Sequence, residues 1–312
     1  MERLSENKLV LVTRKTRLDE LVARFNTIAQ TRFYIEHLGA DFSDYVHEHE
    51  TYHQALTEAR TTLSCFGRVQ VLDRGLLSNF LFGRDDVVIA VGQDGLVANT
   101  LKYLSQQVLI GVNPDPRRWD GILLPFQAKD LGLVVAEVFK RKRPVKEVTL
   151  AQVTLNDGQK LLAVNDFFIG QKTHVSARYT LHVDARKERQ SSSGIIISTG
   201  LGSTGWMKSV LAGASRLITQ VSDGGIIYSS TGKMPWNADY LVFSVREPFP
   251  SKTSAADLVF GQITEQKPLW VLSEMAENGV IFSDGIESDY LSFNSGIEAT
   301  IVPADHKGQL IV

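Results

Sequence analysis

Four residues, Gly92-Gln93-Asp94-Gly95, stand between the apolar run Val87-Val88-Ile89-Ala90-Val91 and the helix-forming stretch Asn99 to Leu104. A buried parallel strand ending in a glycine-flanked carboxylate is where open α/β sheets place ligand chemistry. Glycine at 92 and 95 permits positive φ and close backbone approach, and a following helix N-terminus favours phosphate. Asp94 in such a turn could take a proton from a hydroxyl or hold a metal. The alternative is a strand-end turn in which Asp94 caps the next helix.

Two further segments carry chemistry. An Ile-rich run leads into Ser198-Thr199-Gly200-Leu201-Gly202-Ser203-Thr204-Gly205-Trp206-Met207-Lys208-Ser209, a loop of glycines and hydroxyls that enters a helix. Backbone N–H groups and hydroxyls there suit a nucleotide's phosphates or base. The Gly-Lys-Ser/Thr ending of a Walker loop is missing, and a Ser/Thr turn capping a helix is the other reading. In Ala163-Val164-Asn165-Asp166-Phe167-Phe168-Ile169-Gly170 an amide and a carboxylate sit inside apolar strand sequence. Both are costly to bury without partners, and a ribose diol would supply them; an Asn-Asp turn at a strand edge is the alternative. His49 and His53 have the i, i+4 spacing of metal ligands, but no third ligand is evident nearby. They are expected to lie on a solvated helix face, and no metal site is assigned. Lys140-Arg141-Lys142-Arg143 ends a helix before Pro144, where cations complement the helix dipole.

The elements that must position these residues follow from periodicity. Leu9–Thr13, Val69–Leu72, Val87–Val91 and Val108–Val112 read as buried strands. Leu18–Ile28, Tyr45–Leu63 and Phe126–Lys142 read as helices, so the first part is expected to be α/β with a doubly wound parallel sheet. After Pro144 the texture changes to short strands, including Val148–Leu155, Ala177–Val183, Gly194–Ser198, Leu241–Val245, Leu269–Ser273, Gly279–Phe282 and Ala299–Val302. Turn signals such as Asn156-Asp157-Gly158 and Ser222-Asp223-Gly224-Gly225 separate them. A β-rich, sandwich-like C-terminal domain with one helix after Ser203 is expected. The domains are placed at 1–125 and 126–312, consistent with a length of 312 residues.

Lys and Arg total 33 against 35 Asp and Glu, a net charge of −2, which calls for neither nucleic acid nor a membrane surface. A single cysteine, Cys65, rules out an intramolecular disulfide and fits a reducing compartment. No apolar stretch has the length of a spanning helix, and the start has neither signal-peptide nor transit-peptide character. A cytoplasmic protein is expected.

In order and context, Gly92-Gln93-Asp94-Gly95, Gly111-Val112-Asn113-Pro114-Asp115, Asn165-Asp166 and Gly202-Ser203-Thr204-Gly205-Trp206 resemble the successive signatures of NAD kinases. Val12 to Arg17, Phe168-Ile169-Gly170, Ser192-Ser193-Gly194 and Phe243 to Pro248 resemble the mitochondrial-type branch. The resemblance implies an active site in the crevice between the two domains. It also implies phosphoryl transfer from ATP to the adenosine 2′-hydroxyl of NAD with Mg2+, by a homodimer. It gives Asp94 the role of general base. Gly92 and Gly95 would shape the phosphate-binding turn, and Asn165 and Asp166 would hold ribose or base groups. Thr204, Gly205 and Trp206 would line the adenine pocket, with Ser209 facing it.

The chain departs from the family pattern at Gln93 (glycine in the family), Leu96 (threonine) and Asp166 (usually glutamate). At a positive φ, Gln93 would cost about 1 kcal/mol or more relative to glycine. Asp166 gives up about 1 Å of reach by losing a methylene. These changes carry the alternative reading, a catalytically silent or substrate-shifted homologue that binds a dinucleotide as a sensor or regulator.

Overall fold

The chain was described from a computed structural model covering residues 5–221 and 234–312. It divides into two compact units, Met1–Lys146 with Gln309–Val312, and Glu147–Gly308. The boundary falls at Lys146/Glu147 rather than at 125/126, because the helix after Phe126 packs onto the helices of the first unit.

In the first unit β1 (Lys8–Thr13), α1 (Arg17–Phe25), α2 (Ile28–His37), α3 (Phe42–Ser64), β2 (Arg68–Asp73), β3 (Val87–Val91), α4 (Asp94–Leu101), β4 (Val108–Val112) and α5 (Leu131–Phe139) follow one another. Their strands are ordered β2-β1-β3-β4 and pair in parallel. The chain end returns to this sheet, with Gln309 and Leu310 parallel to Val108 and Leu109. Leu9, Leu11, Val87, Ile89, Val91, Ile110 and Val112 share one core with Tyr52, Ala55, Ala59 and Leu63 of α3 and Leu131, Val134 and Val135 of α5. The α3 residues recur at three- and four-residue steps, which puts them on one helix face. Val10, Val12, Val88 and Ala90 are buried as well, and α4 packs on β3 and β4. The sheet is thus parallel, with β1, β3 and β4 buried on both faces, as their apolar runs require, and β2 an exposed edge.

The helix expected over Leu18–Ile28 is shorter, and a second helix that was not expected follows it. Asn26 adopts a left-handed φ of 66° and ends α1, and the Thr27 side chain then caps α2 by accepting from Gln30 N–H. The helix expected from Phe126 begins later. Phe126 pairs with Val112 as an isolated bridge, Gln127 and Asp130 form a capping box, and a short 3-10 turn precedes α5.

The second unit contains β5 (Val145–Leu155), β6 (Lys160–Ala163), β7 (Asp166–Gln171), β8 (Ala177–Val183), β9 (Arg186–Ser192), β10 (Ile195–Ser198), α6 (Trp206–Val221), β11 (Leu241–Val245), β12 (Phe260–Ile263), β13 (Leu269–Ser273), β14 (Gly279–Ser283), β15 (Ile286–Ser292) and most of β16 (Glu298–Ile311). One sheet runs β12-β11-β10-β7-β14-β15 with antiparallel pairing throughout. In the other, β16-β13-β8-β9 are neighbours, with β5 joining β16 to β6. Phe167, Ile169, Ile195, Ile197 and Phe243 from the first sheet meet Tyr179, Leu181, Leu269, Val271 and Ile301 from the second in one core. Alternate residues turn outward. Ile196 is buried on the other face, where α6 packs on β10. The turn signal Ser222-Asp223-Gly224-Gly225 lies outside the described residues.

Candidate functional site

Asp94 is the first residue of α4, directly after β3 and Gln93. It does not cap the helix: its Oδ1 accepts from Leu123 N–H at 2.7 Å, while Gln93 is the cap residue without a side-chain cap bond. The carboxylate is therefore held by a loop that passes over the end of β4. Gly111 makes that passage possible, since a Cβ there would lie 1.9 Å from Leu123 O. Gly111→Ala is expected to displace the Leu123 segment and lower stability by about 2–3 kcal/mol, the cost of overpacking, read as a fall in the urea midpoint. Asn113 fixes the same loop. Its amide donates to Trp119 O at 2.9 Å and its Oδ1 accepts from Asp115 N–H at 3.0 Å.

The glycines of the turn act differently from expectation. Neither Gly92 nor Gly95 has a positive φ, and Gln93 has a φ of −114°. The strain anticipated for Gln93 therefore does not arise. Gly95 has open space where a side chain would be, which leaves the first turn of α4 accessible. Leu96 is buried, and a Cβ on Gly92 would press on it at 2.9 Å, so Leu96 packs the turn.

A residue to which the sequence reading gave no role lies beside this turn. The Arg14 side chain runs past Gly92, where an added Cβ would meet its Cδ and Nε at 3.6 Å. Arg14 Nη2 donates to Glu48 Oε1 at 3.0 Å, and its guanidinium lies 5.0 Å from the centre of the Tyr52 ring. Tyr52 Oη accepts from Arg14 N–H at 2.8 Å and donates to Val91 O at 3.1 Å, tying the ends of β1 and β3 together. Burial pushes the Tyr52 hydroxyl up to about 12, so it stays protonated. Burial works against charge on Glu48, but hydrogen bonds from Arg17 and Arg14 outweigh it and hold the carboxyl below its ordinary value. The basic run Arg14-Lys15-Thr16-Arg17 directly after a strand was the available signal.

In the second unit Asn165 directly precedes β7, Asp166 begins it, and both meet the hydroxyl-rich loop. Thr199 N–H donates to Asn165 O at 3.0 Å and Thr199 Oγ1 donates to Val164 O at 2.6 Å. A Cβ on Gly202 would sit 2.0 Å from Asn165 O, so the two loops touch backbone to backbone. The residue that shapes the Asn-Asp turn was not foreseen. Asp284 accepts from the backbone N–H groups of Val164, Asn165 and Asp166. Burial first, and the Asp284 carboxylate second, push the Asp166 carboxyl up to about 7. A carboxyl raised in the folded state stabilises below its unfolded value near 4 and loses that contribution as pH rises through 7. Asp166→Asn, which mimics the protonated acid, is expected to be more stable than wild type at pH 8 and equal to it near pH 4 in urea titrations.

Thr204, Gly205, Trp206 and Ser209 follow at the entry to α6 and are exposed. Trp206 stacks on Phe168 with ring centres 5.8 Å apart, and the Arg246 guanidinium lies 5.6 Å from its ring. Ser209 N–H donates to Gly205 O at 3.3 Å in the first turn of α6.

The fold has solved counterparts. An NAD kinase from Archaeoglobus fulgidus, solved in complex with ATP, superposes with a TM-score of 0.55 at 15% identity, covering 98% of this chain and 93% of that one. A yeast NADH kinase complexed with NADH gives a TM-score of 0.59 at 14% identity, covering 98% and 84%. The fold is that of the NAD kinases. In sequence, NAD kinase 2 of Geobacillus kaustophilus is 25% identical over 129 residues, 40% of this chain. That match spans about half of the relative, 48% of its length. No family model matches the chain. Among the described residues no helix is long and apolar enough to cross a membrane.

Proposed function

We propose that this chain is an NAD kinase, transferring the γ-phosphoryl group of ATP to the adenosine 2′-hydroxyl of NAD. The observation that carries the reading is Asp94. It is a carboxylate at the carboxyl end of a buried parallel strand, oriented through one oxygen by Leu123 N–H. No other hydrogen bond among the described residues reaches the carboxylate. Asp94 accepts the 2′-hydroxyl proton. Phosphoryl transfer otherwise needs positioning and charge neutralisation, and the accessible start of α4 with the neighbouring Arg14 offers N–H groups and a cation for phosphate. Asn165 and Asp166 hold ribose or base groups, and Thr204, Gly205, Trp206 and Ser209 receive the adenine.

Magnesium fits this donor set as an ion carried in on phosphates, since it is bound through one or two carboxylates and substrate phosphates and keeps several waters. Bound there, it would neutralise phosphate charge, with Asp94 the carboxylate within the turn.

The unstrained backbone at Gln93 and the buried packing of Leu96 support an active enzyme. The reading is tested by incubating the full-length protein with NAD and magnesium-ATP and identifying the product. NADP formation supports it. Absence of product, with NAD still raising the melting temperature, would replace it with the dinucleotide-binding regulator.

A further inference from the structure

Three side chains from two helices of the first unit converge at a point the kinase reading does not use. His49 and His53 lie one turn apart on α3, and Asp19 lies in the first turn of α1. Asp19 Oδ1 is 3.5 Å from His49 Nδ1, and Asp19 Oδ2 is 3.6 Å from His53 Nε2. One ligand atom from each residue falls within 4.8 Å of the others. These His–Asp separations are too long for hydrogen bonds. They run to different Asp19 oxygens and lie close to the donor spacing of a zinc tetrahedron, about 3.4 Å for metal–ligand bonds of about 2.0–2.2 Å. His49 Nδ1 also lies 3.0 Å from the Thr16 hydroxyl, a contact the ion would displace.

Asp19 is already oriented for the task. Its Oδ2 accepts from Thr16 N–H and from the Thr16 hydroxyl, each at 2.9 Å, in the capping box that starts α1. Such contacts around a ligand fix its direction and raise metal affinity. The His53 side chain is 49% exposed, so an ion and a water ligand can reach the cluster from solvent. Two imidazoles and one carboxylate select zinc-like transition ions over magnesium or calcium.

We propose that Asp19, His49 and His53 form a binding site for a divalent transition-metal ion of the zinc class, with water as the fourth ligand. The ion clamps α1 to α3 and fixes the segment that begins just after Arg14. The site is independent of Asp94, and its test reads metal binding directly.

Cobalt(II) is titrated into the tag-free, full-length protein and the visible ligand-field spectrum recorded, with zinc added afterwards. The expected result is a tetrahedral-type spectrum that saturates at one equivalent and is abolished by zinc. Asp19→Asn removes a ligand but also disturbs the α1 cap, so His53→Gln is the cleaner variant. It is expected to weaken cobalt affinity at least about tenfold while leaving the melting temperature of the metal-free protein unchanged. No protein-dependent spectrum in wild type, or equal affinity in wild type and His53→Gln, would overturn the proposal.

Discussion

Asp94→Asn is expected to lower kcat for NADP formation by about 10²–10⁴-fold, the contribution of a positioned general base. The dissociation constant for NAD should hardly change. The asymmetry follows from the geometry. An asparagine carbonyl oxygen can accept the Leu123 N–H as Asp94 Oδ1 does, so the β3–α4 turn keeps its shape. What is lost is the ability to take a proton. A fall in affinity matching the fall in kcat would mean that Asp94 mainly binds. An unchanged kcat would remove it from the reaction.

The second large effect is expected at Asp284. Its carboxylate, at a residue with a left-handed φ of 54°, accepts from the N–H groups of Val164, Asn165 and Asp166. Asp284→Ala leaves these donors without their acceptor, and each buried orphan costs about 1–3 kcal/mol. Part of that is offset, because removing Asp284 relieves its repulsion with Asp166. A net loss of about 3 kcal/mol, or roughly 10 °C in Tm, is expected. NAD affinity should fall with it, since the turn carrying Asn165 and Asp166 loses its template. A Tm within about 2 °C of wild type would show that the turn is held by its other contacts, chiefly those of Thr199.

Much of this was legible along the chain. The strand before Gly92 could be read from periodicity because it is local; the helix after it, expected over Asn99 to Leu104, runs instead from Asp94 to Leu101. So could the alternation of strands and helices before Pro144 and the strand-rich texture after it. What could not be read depends on contacts distant in sequence. Asp284 reaches Asn165 across 119 positions, and Leu123 reaches Asp94 across 29. Asp19 completes a cluster with His49 and His53 because α1 packs against α3, a pairing that spacing does not encode. The helix α2 was not read from the sequence because only Thr31 and Ile35 of it are buried, too few to give an apolar periodicity. The concern over Gln93 came from assigning a backbone conformation by analogy. The actual φ of −114° is one that any residue adopts.

The central claim concerns which hydroxyl receives the phosphoryl group. The most direct measurement offers γ-labelled ATP and magnesium to the full-length protein with either NAD or its adenosine 2′-deoxy analogue, and follows the label. The account predicts labelled NADP from NAD and no transfer to the analogue. Equal labelling of both, or no labelling of NAD, would contradict it.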